Sequence, residues 1–185
     1  MITARTRPTI TMDGRPFTFS EKALAECRQI ITRYPADRSK SALIPILHIA
    51  QAENDGWLSV QAMDSVAQVL GLQKIEVYEV ASFYSMFHLR PVGRHVIEVC
   101  RTTPCMLRGS DDLIAHLERK LGIHAGETTS DGMFTLKGVE CLGSCGTAPM
   151  MQCGAAYHED LTIEKADRLI EELRSKETRS NYTDR

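Results

Sequence analysis

The chain is 185 residues long with 43% hydrophobic and 25% charged residues, a composition that excludes a disordered or fibrous protein and suits one domain, or a small helical unit joined to a second compact one. Its formal net charge of -2 and pI near 6.3 argue against a protein whose main work is neutralising phosphates. The longest apolar run, ALIPILHIA from Ala42 to Ala50, is too short to cross a bilayer, and the Arg-bearing N-terminus has no apolar stretch of the kind a secretory signal needs, which leaves a short organellar targeting segment open. Without export the compartment is reducing, so the six cysteines read as metal or redox chemistry rather than as a disulfide framework.

Residues 1–18 form an N-terminal extension, and residues 19–90 read as a helical bundle. Ala23, Leu24, Cys27, Ile30, Ile31 and Tyr34 recur on one helical face behind Ser20 as the cap, which makes Cys27 an ordinary core residue. A second helix starts after Ser39 or Ser41, tolerates Pro45 only in its first turn, and ends around Asn54-Asp55-Gly56. A third opens at Ser59, presents Ala62, Met63, Val66, Ala67 and Leu70, and stops at Gly71. The stretch Ile75 to Phe87 is apolar nearly all round and predicts a fourth helix, buried in its own bundle or covered by a partner.

HLRPVGRH, His88 to His95, breaks the helical period at Pro91 and Gly93, and a second unit over 91–175 follows, mixed in class, so that the whole chain is α+β. HVIEV from His95 to Val99 predicts a strand, and Ser110 to Gly122 a helix capped by Ser110 with acids in its first turn and Arg119 and Lys120 in its last. MFTLKGVE is a strand after the Asp131-Gly132 turn, PMMQC a short strand, and Leu161 to Arg174 a closing helix capped by Thr162. Residues 176–185 are a polar, frayed tail, and the chain has no internal repeat.

Four cysteines sit in two loops: Cys100 and Cys105 as C-x4-C, Cys141 and Cys145 as C-x3-C, each pair where a predicted strand ends. If those two strands are neighbours in one sheet, four thiolates meet at one edge. Four thiolates suit tetrahedral zinc or an iron–sulfur cluster, and the x4 and x3 spacings leave wider loops than the C-x2-C knuckles common in zinc sites, better able to wrap a two-iron core. Gly109, Gly143 and Gly146 let amides approach sulfur, Thr102, Thr103 and Ser144 offer hydroxyls, and Arg101 and Arg108 can offset an anionic cluster. A Rieske centre is excluded because neither loop contains a histidine. Packed thiols and a catalytic cysteine remain as competing readings, the latter leaving three loop cysteines without a role. Cys153, on the strand after Pro149, reads as core.

VCRTTPCMLRGSDDL, VECLGSCGTAPMMQ, ALIPILHIAQAENDGWLS, VAQVLGL and EVYEVASFYSMFHLRPVGRH together resemble the thioredoxin-like [2Fe-2S] subunit family of NADH:quinone oxidoreductase, respiratory complex I, over about Ser41 to Gln152, with YHEDLTIEKADRLIEEL extending the match. The resemblance implies a helical N-terminal unit followed by a thioredoxin-like α/β domain in which Cys100, Cys105, Cys141 and Cys145 ligate one [2Fe-2S] cluster. It also implies a larger flavoprotein partner that binds FMN and oxidises NADH, further iron–sulfur subunits, and a peripheral place on the cytoplasmic face of the inner membrane, or the matrix side if organellar. The chain has no G-x-G-x-x-G after a strand and no P-loop, which fits an electron-transfer subunit rather than a nucleotide pocket. Cys153 departs from the aliphatic residue expected there, and Pro149 matches the cis-proline that thioredoxin-like folds place before a strand near the active loop. The same resemblance gives Tyr78, Phe83, Tyr84 and Phe87 two readings, an aromatic core stripe or a partner-facing patch.

Two alternatives stand beside this reading. Related subunits serve NAD-linked hydrogenases and formate dehydrogenases. A metal-cluster helix-turn-helix regulator would use the two helices around Gly71, but its recognition helix, IEVYEVASFY, holds Glu76 and Glu79 and no Lys or Arg to meet phosphates.

Overall fold

The computed structural model describes residues 14–176 and 178–180, so the N-terminal stretch through Asp13 and the end of the polar tail lie outside the described residues. The chain divides into two compact units between Pro91 and Val92. Among the described residues no helix is long and apolar enough to cross a membrane.

The first unit is helical, with α1 at Glu21–Ile31, α2 at Leu43–Glu53, α3 at Val60–Leu70 and α4 at Lys74–Phe83, and a 3-10 turn at Ser39–Ala42 leading into α2. Phe19, Ala23, Cys27, Ile46, Leu47, Met63, Val66 and Val77 share one buried core, which places Cys27 where its helical period predicts. The caps follow the sequence. Ser20 Oγ accepts the Ala23 amide, and Ser59 Oγ accepts the Ala62 amide at 3.1 Å from a position 1% exposed. Ser59→Ala is expected to lower stability by about 1 kcal/mol, read from denaturant unfolding of the intact chain, because it strips α3 of its N-cap acceptor.

α4 differs from its prediction. It ends at Phe83, four residues short of Phe87, and only Val77 and Ala81 are buried along it. Ile75 is 60% exposed and Phe83 79%, with Tyr84 exposed against the Phe83 ring. Of the aromatics in this stretch, Tyr78 is half-buried, its hydroxyl donating to Asp64, and Phe87 is in the core. The helix stops because the following backbone finds better partners: Gln51 Nε2 donates to Met86 O at 3.1 Å, Gln51 Oε1 accepts the His88 amide at 2.8 Å, and the Leu58 amide donates to His88 O at 2.7 Å. Met86, Phe87 and Leu89 are thus apolar because an irregular segment crosses the core, not because a helix continues.

The second unit holds a four-stranded sheet in the order β2-β1-β3-β4, with β1 at His95–Cys100, β2 at Phe134–Val139, β3 at Met151–Cys153 and β4 at Ala156–His158. β1 and β2 are parallel, as a crossover through a helix requires, and β3 runs antiparallel to both β1 and β4. The crossover helix is α6, Ser110–Leu121, and the closing helix α7, Ile163–Ser175; both pack on one sheet face through Leu113, Leu117, Leu169, Ile170 and Leu173 against Ile97, Val99, Phe134, Leu136 and Met151. Alternation along β1 puts Glu98 on the other face, buried and paired with Lys137 on the adjacent strand at 2.9 Å. Three local expectations change. Ser110 is the first helical residue, fully buried behind Gly109 as the N-cap. The first cysteine loop contains a short helix, α5, at Thr103–Leu107. A strand absent from the reading, β4, pairs with β3 across the two-residue link Gly154-Ala155.

Candidate cysteine centre

Because β1 and β2 are parallel, their C-terminal ends lie at the same sheet edge, and both cysteine loops start there. Cys100 is the last residue of β1, opposite Val139, and Cys141 follows two residues after β2 ends. The ladder is drawn out at this edge by the Arg101 amide to Val139 O at 2.9 Å and the Cys100 amide to Met150 O at 3.2 Å. The edge is completed by the segment entering β3, whose Ala148-Pro149 peptide is cis, as the family resemblance implies.

The two pairs are held differently. Pro104 in the first turn of α5 fixes the start of that helix and sets Cys105 on its inner side, buried with Cys100, Ala148 and Met150. Gly109 at φ +94 then turns the chain directly into α6, a conformation that a side chain would resist. Cys141 and Cys145, by contrast, are exposed. Gly143, at φ +84, turns its amide back onto Cys141 Sγ at 3.4 Å, and the chain continues into a 3-10 turn at Cys145–Thr147.

The Cys141 and Cys145 sulfurs are 3.8 Å apart. That rules out a disulfide and matches the edge of a tetrahedron, about 3.8 Å, that two thiolates span when each binds one metal at about 2.3 Å. Cys100 and Cys105 form the second pair, buried in one apolar cluster. The Thr102 hydroxyl reaches Cys100 Sγ at 3.3 Å and also lowers the pKa of the Cys141 thiol, which links the pairs. Among the described residues no three His, Cys, Asp or Glu side chains gather as the ligands of one ion would. Two pairs side by side are the arrangement a binuclear core asks for, two ligands per iron. The donor set therefore fits a [2Fe-2S] cluster.

The electrostatics repeat this pairing. Burial pushes the Cys100 thiol up, but hydrogen bonds from the Thr102 hydroxyl and from the backbone of Thr102 and Leu142 bring it below its ordinary value. Burial, followed by the hydrogen bond to Cys100, pushes Cys105 up to about 11. The Gly143 amide, then Thr102 and Cys145, holds Cys141 below the usual thiol range, while its neighbour Cys145 is raised chiefly by Cys141. Each pair thus has one thiol lowered and one raised from its ordinary value. Cys27 and Cys153 stand apart from this chemistry, both buried, with burial as the main cause raising their pKa values, to about 11 for Cys27.

Other predicted neighbours take different roles. Arg108 Nε donates to Ala148 O at 3.3 Å and so ties the first loop to the cis-proline segment, and the Arg101 stem lies over Gly138. Ser144 does not turn to a sulfur: its hydroxyl donates to Glu159. The sequence reading missed Glu159, Thr147 and Tyr157, all of which hold the second loop, with the Tyr157 hydroxyl donating to Leu142 O at 2.7 Å. The signal for Tyr157 was the hairpin link at Gly154-Ala155, which sets it on the returning strand with Glu159 just past the strand's end.

Comparison with known proteins accords with this geometry. The family model for thioredoxin-like [2Fe-2S] ferredoxin matches residues 27–174. The NADH-quinone oxidoreductase E subunit of Rickettsia conorii is 48% identical over 159 residues, covering 86% of this chain and 95% of its own. The mitochondrial NADH dehydrogenase [ubiquinone] flavoprotein 2 of Dictyostelium discoideum is 46% identical, covering 86% of this chain and 65% of its own. Among solved structures, an NAD+-reducing [NiFe]-hydrogenase in its H2-reduced state superposes with a TM-score of 0.64 at 25% identity over 72% of this chain, which spans 22% of that longer chain.

Proposed function

We infer the function from one premise: this chain belongs to the thioredoxin-like [2Fe-2S] ferredoxin family. It is the electron-transfer iron–sulfur subunit of NADH-quinone oxidoreductase, with Cys100, Cys105, Cys141 and Cys145 as the four ligands of one [2Fe-2S] cluster. The observation that carries the assignment is the parallel pairing of β1 and β2, which brings the two thiol pairs to one sheet edge. When bound, the cluster supplies a site that takes up and releases one electron, exchanged with the flavin of an FMN- and NADH-binding partner subunit. The chain's own residues bind and tune: four thiolates ligate, the Thr102 hydroxyl and Gly143 amide place hydrogen bonds on sulfur, and the buried side of the site, Ala148 and Met150, keeps water from Cys100 and Cys105.

Partner contact is supported by large apolar side chains left in solvent. Met106 and Leu107 on α5 directly follow Cys105, and in the helical unit Ile75, Phe83 and Tyr84 are exposed on and beside α4. Further iron–sulfur subunits continue the route towards quinone, and the assembly is the peripheral arm on the cytoplasmic face of the inner membrane, or on the matrix side in an organelle. The regulator reading weakens further, since the cation at the start of α4, Lys74, is paired with Asp64 at 2.6 Å.

A second assembly is favoured by the hydrogenase likeness, in which this chain would serve the NAD-linked module of a hydrogenase or a formate dehydrogenase. The respiratory reading is stronger because the rickettsial match covers 95% of its relative at 48% identity. Tagged chain purified with its native complex decides: NADH-dependent quinone reduction supports the respiratory enzyme, whereas hydrogen- or formate-dependent NAD+ reduction overturns it.

The assignment of the cluster is tested on the chain purified anaerobically, by iron, acid-labile sulfide and zinc assay and by EPR after dithionite reduction. Two iron and two sulfide per chain with a rhombic S = 1/2 signal is the expected result. One zinc without sulfide in freshly prepared protein would end the redox reading.

A further inference from the structure

We propose that Glu159 is a positioning residue for the cysteine centre: its carboxylate receives the hydroxyls on either side of Cys145 and holds the Cys141–Cys145 turn in the geometry of two ligands to one iron. The inference rests on the [2Fe-2S] reading above and extends it to a residue outside the ligand loops.

The need for such a clasp follows from how unequally the two pairs are supported. Cys100 and Cys105 are packed into an apolar cluster, whereas Cys141 and Cys145 are exposed and lie outside it. Hydrogen bonds must supply what burial does not. They come from one short segment, residues 157–161, which runs from within β4 towards α7. Tyr157 Oη donates to Leu142 O at 2.7 Å, the Asp160 amide to Thr147 O at 2.8 Å, and the Leu161 amide to Pro149 O at 3.0 Å. Those bonds fix the backbone of the loop on both sides of Cys145.

Glu159 adds the side chains. Thr147 Oγ1 donates to Glu159 Oε1 at 2.6 Å, Ser144 Oγ donates to the same oxygen, and the two hydroxyls are 2.8 Å from each other. Ser144 immediately precedes Cys145 and Thr147 closes the 3-10 turn that starts there, so both flanks of the ligand are drawn to one carboxylate oxygen. A carboxylate accepts two hydroxyls more strongly than a neutral acceptor would, and it brings a negative charge to this side of the centre. That charge opposes further reduction of an anionic cluster, so it acts on the potential as well as on the geometry.

The test uses the full chain loaded with its cluster, comparing wild type with Glu159→Ala, Glu159→Gln and Tyr157→Phe. Iron release to a chelator, the EPR line shape of the reduced cluster and its midpoint potential are measured on each. Glu159→Ala is expected to release iron on the order of tenfold faster, as loss of a charge-assisted hydrogen bond allows, and to alter the rhombic line shape. Glu159→Gln keeps an oxygen acceptor without the charge, so release returns towards the wild-type rate while the midpoint moves upward. Tyr157→Phe speeds release but leaves the midpoint in place. A structural role alone would not separate release from potential in this way. Wild-type release and line shape in Glu159→Ala, or an unmoved midpoint in Glu159→Gln, overturns the proposal, and the second criterion stands even if the alanine variant fails to load. If the wild-type chain itself holds no iron and sulfide, the cluster reading falls first and the clasp with it.

Discussion

Alanine in place of any one of Cys100, Cys105, Cys141 or Cys145 is expected to take the chain from two iron and two sulfide to essentially none, with loss of the visible charge-transfer bands and the reduced EPR signal. Each iron of a binuclear core needs two protein thiolates, and the pairs here are already matched, with Cys141 and Cys145 at tetrahedral spacing. Alanine leaves one iron with a single protein ligand, and since Cys141 and Cys145 are exposed, water and chelators have access to complete the removal. Loss at Cys105 also opens a hole between α5 and Met150, so the first loop loosens as well. Cys27→Ala and Cys153→Ala provide the contrast. Both thiols are buried in apolar cores, and Cys153 sits opposite Ile97 on β1. Each change is expected to cost about 1 kcal/mol of stability and leave the cluster content unchanged. A bleached Cys153→Ala chain would overturn the ligand assignment.

Gly93→Ala is expected to destabilise the second unit by about 1–3 kcal/mol or more and to lower its content of loaded cluster, measured by denaturant unfolding and iron assay. A Cβ at Gly93 would lie 2.6 Å from the carbonyl carbon of Phe134 and 2.9 Å from the amide nitrogens of Phe134 and Thr135. Those atoms are backbone, so no side chain can swing away to make room. The segment is pinned there: the Gly93 amide donates to Thr135 Oγ1 at 2.7 Å, and Arg179 Nη1 donates to Gly93 O at 2.6 Å. Relief therefore requires β1 and β2 to separate at their N-terminal ends, which tilts the two strands whose opposite ends carry the cysteine loops. Thr135→Ser, which keeps the hydroxyl, is expected to retain most of the stability and all of the cluster.

The contrast between Gly93 in sequence and in structure illustrates what a local pattern conveys. Beside Pro91 it reads as punctuation between units, whereas its tertiary role is a close backbone approach to a strand that begins 41 residues later at Phe134. The same limit governed α4. Its apolar run continues to Phe87, but Gln51 supplies hydrogen bonds to residues 86 and 88 from 35 and 37 positions away, and no periodicity within the run records that. Ser144 is a third case, a hydroxyl beside a cysteine by sequence and a partner of Glu159 15 positions on in space.

What the sequence by itself determined is whatever depends on neighbours along the chain. Ser20, Ser59 and Thr162 cap α1, α3 and α7 because a side-chain oxygen reaches an amide three residues ahead, and the core faces of these helices follow from a 3.6-residue period. Two cysteine pairs at the ends of two strands were legible for the same reason. Only the tertiary structure decided that those strands are parallel neighbours, joined in register from His95–Phe134 to Cys100–Val139. Strand pairing is made by backbone hydrogen bonds along a register that sets His95 beside Phe134 and Cys100 beside Val139, and by burial of a shared face, energies that no local window contains, and they are what turn two separate pairs of thiols into one centre.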